Sequence, residues 1–187
     1  MRVIGGKAKG QRLNSPKGMN VRPTSDRVRE AIFSSIQSIL SEATVIDLFA
    51  GAGTFGIEAL SRYAATSYFV DRSAVHLQVV KENLVKTRLI NQAKLICQEA
   101  DAAIRQLSIE NIKADVVFMD PPYGSNLISS TLAVLEQSNI LTQESVVIVE
   151  FGKNEKAPPG MERLVQTKVK KYGSTFIAYY RLREDVS

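Results

Sequence analysis

The spacing of hydrophobic residues changes near residue 44. Before that point, four apolar residues recur near helical spacing: Val28, Ile32, Ile36 and Ile39. Ser25 and Asp26 precede them, and both residue types cap the N-termini of helices. The pattern therefore predicts one leading helix over residues 25–40.

Beyond residue 44, short apolar runs alternate with amphipathic stretches of helical length. The runs lie at 45–49, 67–71, 94–98, 115–120 and 145–151. Helices are predicted between them, ending near Arg62 and Lys86, starting at Asp101 and covering about 126–137. Such alternation is typical of crossover units and predicts a mostly parallel sheet covered by helices on both faces.

The last part of the chain has a different pattern. Residues 163–173 and 174–182 are typical of two strands joined by a tight turn around Gly173 and Ser174. Such a hairpin adds an antiparallel strand at the edge of the sheet. No repeat or linker interrupts the pattern, so we predict a single α/β domain over 1–187. Its parts are a basic arm (1–24), the leading helix (25–40) and a Rossmann-like core (44–187).

Composition narrows the class of protein. With 187 residues, 44% hydrophobic and 23% charged, the chain is typical of a globular domain. No run approaches the roughly 20 apolar residues that cross a bilayer, and the N-terminus lacks the pattern of a signal peptide. A single cysteine, Cys97, and a single histidine, His76, argue against disulfides and metal sites. We expect a metal-free cytoplasmic protein with Cys97 in its core, and assign His76 no chemistry.

Positive charge is concentrated in the first 30 residues, whereas the rest of the chain is close to neutral. The segment contains only two acids, Asp26 and Glu30. Its eight basic residues are Arg2, Lys7, Lys9, Arg12, Lys17, Arg22, Arg27 and Arg29. This charge either follows the phosphate backbone of a nucleic acid or forms a solvated basic face without a ligand.

The first predicted strand leads into a glycine-rich loop, Gly51-Ala52-Gly53-Thr54-Phe55-Gly56. Glycines at this spacing allow a tight turn and let a ligand approach the backbone closely. Asp71 ends the second strand, where a carboxylate can bind ribose hydroxyls. These features alone are compatible with NAD as well as with S-adenosylmethionine.

Two further acids bear on that choice. Asp47 lies four residues before the loop, and a carboxylate there repels a pyrophosphate but attracts the ammonium and sulfonium groups of S-adenosylmethionine. Without such a ligand, an acid in an apolar strand needs a compensating partner. Asp101 follows the third strand, where it either accepts a hydrogen bond from an adenine amino group or caps the next helix.

Asp120-Pro121-Pro122-Tyr123 follows the fourth strand, at the sheet edge where ligands of open α/β folds bind. The prolines fix the backbone and so orient two acceptors, the Asp120 carboxylate and the Pro121 carbonyl. These two can accept both hydrogens of an exocyclic amine and stabilise positive charge developing on its nitrogen. Tyr123 can stack on an extruded base. A proline-rich turn with a capping Asp is the alternative, which its position after the glycine loop disfavours.

Five segments carry a family resemblance: RVIGGKAKGQRL (2–13), RPTSDRVREAIF (22–33), DLFAGAGTFGIEALSR (47–62), FVDRS (69–73) and DVVFMDPPYG (115–124). Together they resemble the class I methyltransferases, and more narrowly the bacterial 16S ribosomal RNA guanine-N2 methyltransferases of the RsmD type. The glycine loop and DPPY occur in many amino-methylating enzymes. The arm and the RPT segment are more specific and indicate the narrower family.

The resemblance implies a seven-stranded class I methyltransferase fold, S-adenosylmethionine as cofactor, and 16S ribosomal RNA or the assembling small ribosomal subunit as partner. We also expect a monomer. The implied cofactor-binding residues are Asp47, Phe49, Ala50, Gly51, Gly53, Asp71, Arg72, Asp101 and Ala102. The implied catalytic residues are Asp120, Pro121 and Tyr123. The residues expected near the site or the RNA are Arg2, Lys7, Lys9, Arg12, Arg22, Thr24 and Arg29.

Other functions remain open at the level of sequence. The amine could belong to adenine in DNA or RNA, or to transfer RNA, because spacing and charge do not distinguish guanine from adenine. An NAD-dependent oxidoreductase is compatible with the glycine loop but not with Asp47 and DPPY. A non-catalytic RNA-binding module is the third alternative, and it predicts that Asp120 is dispensable.

Overall fold

The structure, a computed structural model, describes residues 1–16, 24–122, 127–153, 155 and 157–183. At its centre lies a seven-stranded sheet in the order β3-β2-β1-β4-β5-β7-β6. The strands are β1 (Thr44–Asp47), β2 (Thr66–Asp71), β3 (Ala93–Cys97), β4 (Ala114–Met119), β5 (Leu141–Gly152), β6 (Leu164–Tyr172) and β7 (Thr175–Leu182). Strands β1 to β5 are parallel to one another, and β7 is antiparallel to β5 and β6. The predicted mostly parallel sheet with an antiparallel C-terminal strand is confirmed.

Helices cover both faces of the sheet, as predicted. The helices of the described residues are α1 (Asp26–Ser35), α2 (Gln37–Leu40), α3 (Thr54–Ser61), α4 (Ala74–Thr87), α5 (Ala100–Ile109) and α6 (Leu127–Gln137). Buried side chains of α1 to α4 share one core with one face of the sheet, and those of α5 and α6 share a second core with the other face. Within the described ranges, no helix has the length and apolar character to span a membrane.

The leading helix begins where the sequence predicts, but it is not continuous. Ser25 is its N-cap, and its hydroxyl oxygen accepts a hydrogen bond from the Val28 backbone N–H at 3.3 Å. The prediction of one helix over 25–40 is wrong, because Ile36 leaves the helical conformation with a φ of −119° and separates α1 from α2. Ile36 is buried in the core, so the break allows the chain to turn while this apolar side chain stays covered.

The C-terminal hairpin places its turn at the edge of the sheet where the parallel strands end. Thr175 at the start of β7 pairs with Gly152 at the end of β5 and with Tyr172 at the end of β6. Gly173, with a φ of 64°, makes the turn between β6 and β7. Because β6 therefore runs in the same direction as β5, the hairpin turn lies at the edge where the parallel strands have their carboxyl ends.

The described part of the basic arm is packed against the core. An isolated antiparallel bridge joins Arg2 to Arg12, and Val3, Ala8 and Leu13 are buried among side chains of α1, α3 and α4. Apolar residues between the basic ones thus fix residues 1–14 to the domain.

Buried polar groups of the helices also bind the arm. The carboxylate of Glu58, which is fully buried, accepts hydrogen bonds from the backbone N–H groups of Ile4 at 2.7 Å and Gly5 at 2.8 Å. The hydroxyl of Ser61 accepts a bond from Ala8 N–H and donates one to the Gly5 carbonyl. These contacts satisfy arm backbone groups that have no partner in a regular strand.

Cys97 was expected in the core, and that expectation is wrong. Its side chain is exposed, as are those of Lys94 and Leu95 on the same strand. Strand β3 is the outermost strand beside β2, so helix coverage ends there. An apolar run at the edge of a sheet cannot be told from a central one by its sequence pattern alone.

Candidate active site

Carboxylates line the carboxyl ends of four adjacent strands on one face of the sheet. Asp47 ends β1 and pairs in register with Phe69 of β2 and Phe118 of β4. Asp71 and Asp120 lie two residues beyond those phenylalanines, so they share a face with Asp47 because side chains alternate along a strand. We call the set Asp71, Asp47, Asp120 and Glu150 the acid row, with Glu150 contributed by β5.

Glu150 joins the row through the register of β4 and β5. The pairing of those strands ends with Met119 opposite Val149, so Asp120 and Glu150 are the next neighbours, with Cα atoms about 5 Å apart. Phe118 and Ile148, two residues earlier on the two strands, belong to the same core. The Asp120 and Glu150 side chains therefore lie on the face that α1 and α3 cover.

Asp47, an acid within an apolar strand, has one hydrogen-bond partner among the described residues, a backbone N–H group. It is buried, and its Oδ2 accepts a hydrogen bond from the Gly56 N–H of α3 at 3.0 Å. Burial raises the pKa of Asp47 to about 7; the Gly56 hydrogen bond opposes this rise and the nearby charge of Asp71 adds to it. One backbone hydrogen bond thus does not offset the loss of hydration, and a cationic group beside this carboxyl would stabilise its charged form.

This raised pKa makes a prediction about stability. The pKa of Asp47 rises from 3.8 to about 7 on folding, so its favourable contribution is complete below pH 4 and is lost as the pH rises through 7. A shift of one pKa unit corresponds to about 1.36 kcal/mol. We therefore expect the free energy of unfolding of the wild type to fall by about 2–4 kcal/mol relative to that of Asp47→Asn between pH 4 and pH 8. Urea unfolding of both proteins across that range measures it. Parallel stability curves for the two proteins would contradict the prediction.

The glycine loop has the backbone conformation that its sequence predicts. Gly51 and Gly53 have φ values of 55° and 79°, a region that residues with a side chain rarely adopt. Gly53 is also the N-cap of α3. A Cβ atom on Gly56 would lie 2.3 Å from Cε1 of Phe69, so only glycine lets α3 pack this closely on β2. The loop therefore makes a tight backbone turn at the start of a helix, beside the acid row.

Asp71 is held by three donors. Its Oδ2 accepts a hydrogen bond from Gly51 N–H at 2.9 Å, and its Oδ1 accepts one from Ser73 N–H at 2.9 Å. Nδ1 of His76 lies 3.1 Å from both carboxylate oxygens. His76, to which the sequence assigned no chemistry, thus orients an expected cofactor-binding residue. The signal for this contact was the position of His76 one helical turn after the strand end.

The remaining expected cofactor-binding residues lie at the same sheet edge. Asp101 is in the first turn of α5, whose N-cap is Glu99, so the alternative that Asp101 caps this helix is wrong. Its Oδ1 accepts a bond from Thr131 Oγ1 at 3.4 Å. Arg72 is exposed and forms a 3.7 Å ion pair with Glu99. Ala50 is buried, Phe49 half-buried and Ala102 exposed.

Asp120 lies directly after β4 and is followed by the buried Pro121. Beneath it, the Phe118 ring stacks on Phe55 with the ring centroids 4.9 Å apart. Burial raises the pKa of Asp120 well above its ordinary value, and the charges of Glu150, Asp47 and Glu155 raise it further. Tyr123, the third expected catalytic residue, lies outside the described residues.

Glu150 is the functional candidate that the sequence analysis missed. It is 4% exposed, and its Oε2 accepts a hydrogen bond from the Thr24 hydroxyl at 2.6 Å. Burial raises the pKa of Glu150, although the Thr24 bond lowers it in part. The signal was present in SVVIVEF, where an acid interrupts an apolar run just as Asp47 does. Thr24, expected near the site from the family resemblance, is therefore in contact with the acid row.

Several residues expected to contact RNA have other partners. Arg29 is fully buried, and its Nη2 donates to the Arg2 carbonyl at 2.7 Å and to Asp26 at 2.8 Å. This burial is incompatible with a direct RNA contact of Arg29 in this structure and corrects that assignment. Arg2 itself pairs with Asp26 at 2.8 Å, and Lys7 donates to Gln92 at 2.8 Å.

Lys7 and Lys9 lie away from the acid row. Ala8 between them bonds Ser61 at the end of α3, whereas the acid row lies at the start of that helix. An eight-residue helix is about 12 Å long, so this separation is substantial. Lys9 and Arg12 are exposed, and Arg22 lies outside the described residues.

The chain is similar to a known protein family and to named methyltransferases. A family model described as conserved hypothetical protein 95 matches residues 1–181. A putative rRNA methyltransferase, YlbH, of Bacillus subtilis is 34% identical over 183 residues, which are 98% of this chain and 100% of that protein. Ribosomal RNA small subunit methyltransferase D of Escherichia coli K12 is 34% identical over 150 residues, 80% of this chain and 74% of that protein.

A solved structure agrees in fold and in extent. The structure described as the putative methyltransferase yhhF from Escherichia coli superimposes with a TM-score of 0.86 at 30% identity, and the match covers 99% of both chains. The family match, the identity to the curated relatives and the shared fold extend over nearly the same residues. The chain therefore belongs to the conserved hypothetical protein 95 family, the RsmD family of methyltransferases.

Proposed function

We propose that this protein transfers a methyl group from S-adenosylmethionine to the exocyclic N2 amino group of a guanine in 16S ribosomal RNA. The observation that carries the proposal is the position of Asp120 and Pro121, which follow β4 directly and lie beside Asp47 and the glycine loop. The name of the Escherichia coli relative, a small subunit ribosomal RNA methyltransferase, supports the substrate class. The choice of guanine N2 rests on the family resemblance.

The residues at the sheet edge suit S-adenosylmethionine. Gly51 and Gly53 form the tight turn that would let a ligand approach the start of α3, while Asp71, held by three donors, is oriented to accept hydrogen bonds from ribose hydroxyls. Asp47 is buried with a raised pKa, and a ligand carrying positive charge would favour its ionised form. A pyrophosphate would instead add negative charge to a row of acids, which opposes the NAD alternative. The cofactor supplies a methyl group already activated by its bond to a cationic sulfur.

Asp120 and Pro121 would orient the acceptor amine. The Asp120 carboxylate and the Pro121 carbonyl accept its two hydrogens, which directs the nitrogen lone pair away from the ring plane and toward the methyl group. Such fixed acceptors also stabilise the positive charge that develops on the nitrogen. A direct displacement then needs no covalent nucleophile from the protein, and Tyr123 remains the predicted stacking residue for the base.

The surplus proton has an acceptor in the acid row. Burial raises the pKa values of Asp47, Asp120 and Glu150, and neighbouring carboxylates raise those of Asp47 and Asp120 further, so ionising these groups has a cost in the free protein. Positive charge bound beside Asp47 lowers that cost and lets Asp120 ionise. Asp120 then takes a proton from the methylated nitrogen, and the adjacent Glu150 can share it. The raised pKa of Asp120 makes it a better base than an exposed aspartate would be.

A methylation assay tests the proposal. The protein is incubated with methyl-labelled S-adenosylmethionine and one of three substrates: small ribosomal subunits from cells lacking this protein, naked 16S RNA, or duplex DNA. We expect label in the ribosomal RNA, and mass mapping should locate it as N2-methylguanine. Label in adenine, in transfer RNA or in DNA would overturn the proposed substrate. Binding of NAD without S-adenosylmethionine would overturn the proposed reaction.

A further inference from the structure

The C-terminal hairpin carries a positive charge that the sequence analysis did not single out. Between residues 163 and 183 there is no acidic residue. The basic residues are Arg163, Lys168, Lys170, Lys171, Arg181 and Arg183. The three lysines are in the half of β6 nearer the turn, and the three arginines lie at the opposite end of the hairpin. We call residues 168–175 the hairpin tip.

The hairpin tip lies at the same edge of the sheet as the acid row. Thr175 and Tyr172 pair with each other at the turn, and Thr175 also pairs with Gly152, two residues after Glu150. The arginine end of the hairpin lies at the opposite edge, where Arg181 donates to the Glu144 carbonyl near the start of β5. One hairpin thus presents lysines beside the candidate active site and arginines remote from it.

The strand register places Lys170 level with Glu150 of the acid row, two strands away. Ile177 of β7 pairs with Glu150 on one side and with Lys170 on the other. Neighbouring strands lie about 4.8 Å apart, so the Lys170 Cα is roughly 10 Å from that of Glu150 and roughly 15 Å from that of Asp120. Lys170 is also on the same face as the acid row, because Ile177 packs into the core that α1 covers.

The lysines of the tip are available to an anionic partner. Lys168 and Lys171 are exposed and Lys170 is half-exposed. None of the three forms an ion pair with a carboxylate of the described residues. The Lys171 ammonium lies 5.7 Å from the Phe176 ring centroid, which leaves its charge unneutralised. In the arm, by contrast, Arg2 is paired and Arg29 is buried.

We propose that the hairpin tip binds the phosphate backbone of the RNA strand whose base enters the site at Asp120. The proposal rests on the proposed function for the choice of RNA, and it names a substrate contact beyond the arm. A base extruded toward Asp120 keeps its neighbouring phosphates within several nucleotide lengths of the site. The roughly 15 Å between Asp120 and Lys170 lies within that span. Lysines at this distance neutralise those phosphates and release their counterions.

A charge-matched pair of variants tests this surface. Lys168→Ala with Lys170→Ala removes two charges from the face of the tip that the acid row shares, because Lys168 pairs with Tyr179 and Lys170 with Ile177, both of that core. Arg163→Ala with Arg183→Ala removes two charges from the opposite end of the same hairpin. Both pairs leave backbone hydrogen bonds in place. The measurements are the dissociation constant for a 16S RNA fragment at several salt concentrations, the KM and kcat of methyl transfer, and the affinity for S-adenosylmethionine.

We expect the tip variant to weaken RNA binding at least tenfold and the arginine variant to change it less than threefold. Loss of two phosphate contacts should also reduce the slope of log K against log salt by about 1.4 for single-stranded RNA. KM for RNA should rise while kcat and cofactor affinity stay within twofold. Lys168→Arg with Lys170→Arg, which keeps the charge, should retain binding.

Equal losses in the two alanine variants, or wild-type binding by the tip variant, would overturn the proposal. Thermal unfolding of each variant checks that the hairpin is intact. RNA binding is measured without turnover, so this test does not depend on methyl transfer. A protein that binds RNA through the hairpin tip but transfers no methyl group would support the binding surface and contradict the proposed methylation.

Discussion

Asp120→Asn is expected to reduce methyl transfer by about a thousandfold while the protein stays folded. Asparagine has nearly the same shape, but it presents an amide in place of a carboxylate that accepts hydrogens only. The variant keeps one acceptor oxygen but loses the negative charge, so it stabilises the positive charge on the amine nitrogen less well and cannot take up its proton; effects of this kind are worth about 10²- to 10⁴-fold. Because Glu150 and Asp47 raise the pKa of Asp120 by repulsion, removing this charge should not destabilise the fold.

Three measurements on Asp120→Asn separate a loss of chemistry from a loss of cofactor binding or of folding. Single-turnover methylation reports the chemical step, S-adenosylmethionine titration reports the cofactor site, and thermal unfolding reports the fold. We expect only the first to change strongly. Glu150→Gln serves as the comparison, with a smaller loss of about tenfold, because Glu150 acts through Asp120. Wild-type activity of Asp120→Asn would eliminate the proposed mechanism and favour a non-catalytic RNA-binding module.

Glu58→Ala is expected to have the largest effect on stability, about 3–5 kcal/mol. The Glu58 side chain is fully buried and accepts from Ile4 N–H, Gly5 N–H and the Arg62 guanidinium, the last at 2.7 Å. Alanine leaves the two N–H groups without an acceptor and removes the inner partner of a largely buried arginine. Each unsatisfied buried group costs about 1–3 kcal/mol.

Urea unfolding measures this loss, and Glu30→Ala is the matched control. Glu30 binds the same guanidinium at 2.6 Å, but its side chain is 48% exposed, so its loss should cost less than about 1 kcal/mol. A second effect should appear in proteolysis, because residues 1–14 lose their attachment to α3 and become cleavable. Equal stability losses for Glu58→Ala and Glu30→Ala would show that burial of the pair does not decide its contribution.

Much of the fold could be predicted from the alternation of apolar runs and helical stretches. Each predicted strand agrees with an observed one to within a few residues, because a sheet covered on both faces imposes continuous apolar runs. The pattern failed where tertiary position decides the outcome. Cys97 lies in an apolar run that proves to be the outer strand, and Ile36 interrupts a helix whose apolar spacing continues past it.

The candidate site was predictable only where its chemistry is local in sequence. The glycine loop and the segment after β4 each place several informative residues within a few positions. Glu150 could be identified only from the strand order, which sets β5 beside β4. The hairpin tip could be identified only from the direction of β6, which brings it to the edge that carries the acid row. The basic arm was over-interpreted from its sequence. Its charge is evident from the sequence, but the burial of Arg29 and the position of Lys7 depend on contacts with distant residues.

The attachment of residues 1–14 has a consequence for synthesis on the ribosome. The N-terminal residues emerge first, yet Glu58 and Ser61 follow more than fifty positions later, and Asn83, which bonds Asn14, comes later still. At about 5–20 residues per second, the nascent N-terminus waits several seconds for its binding partners. The contact of Thr24 with Glu150 spans 126 residues. The acid row can therefore be completed only after β5 has been synthesised, so a chain that stalls before Glu150 lacks the partner of Thr24.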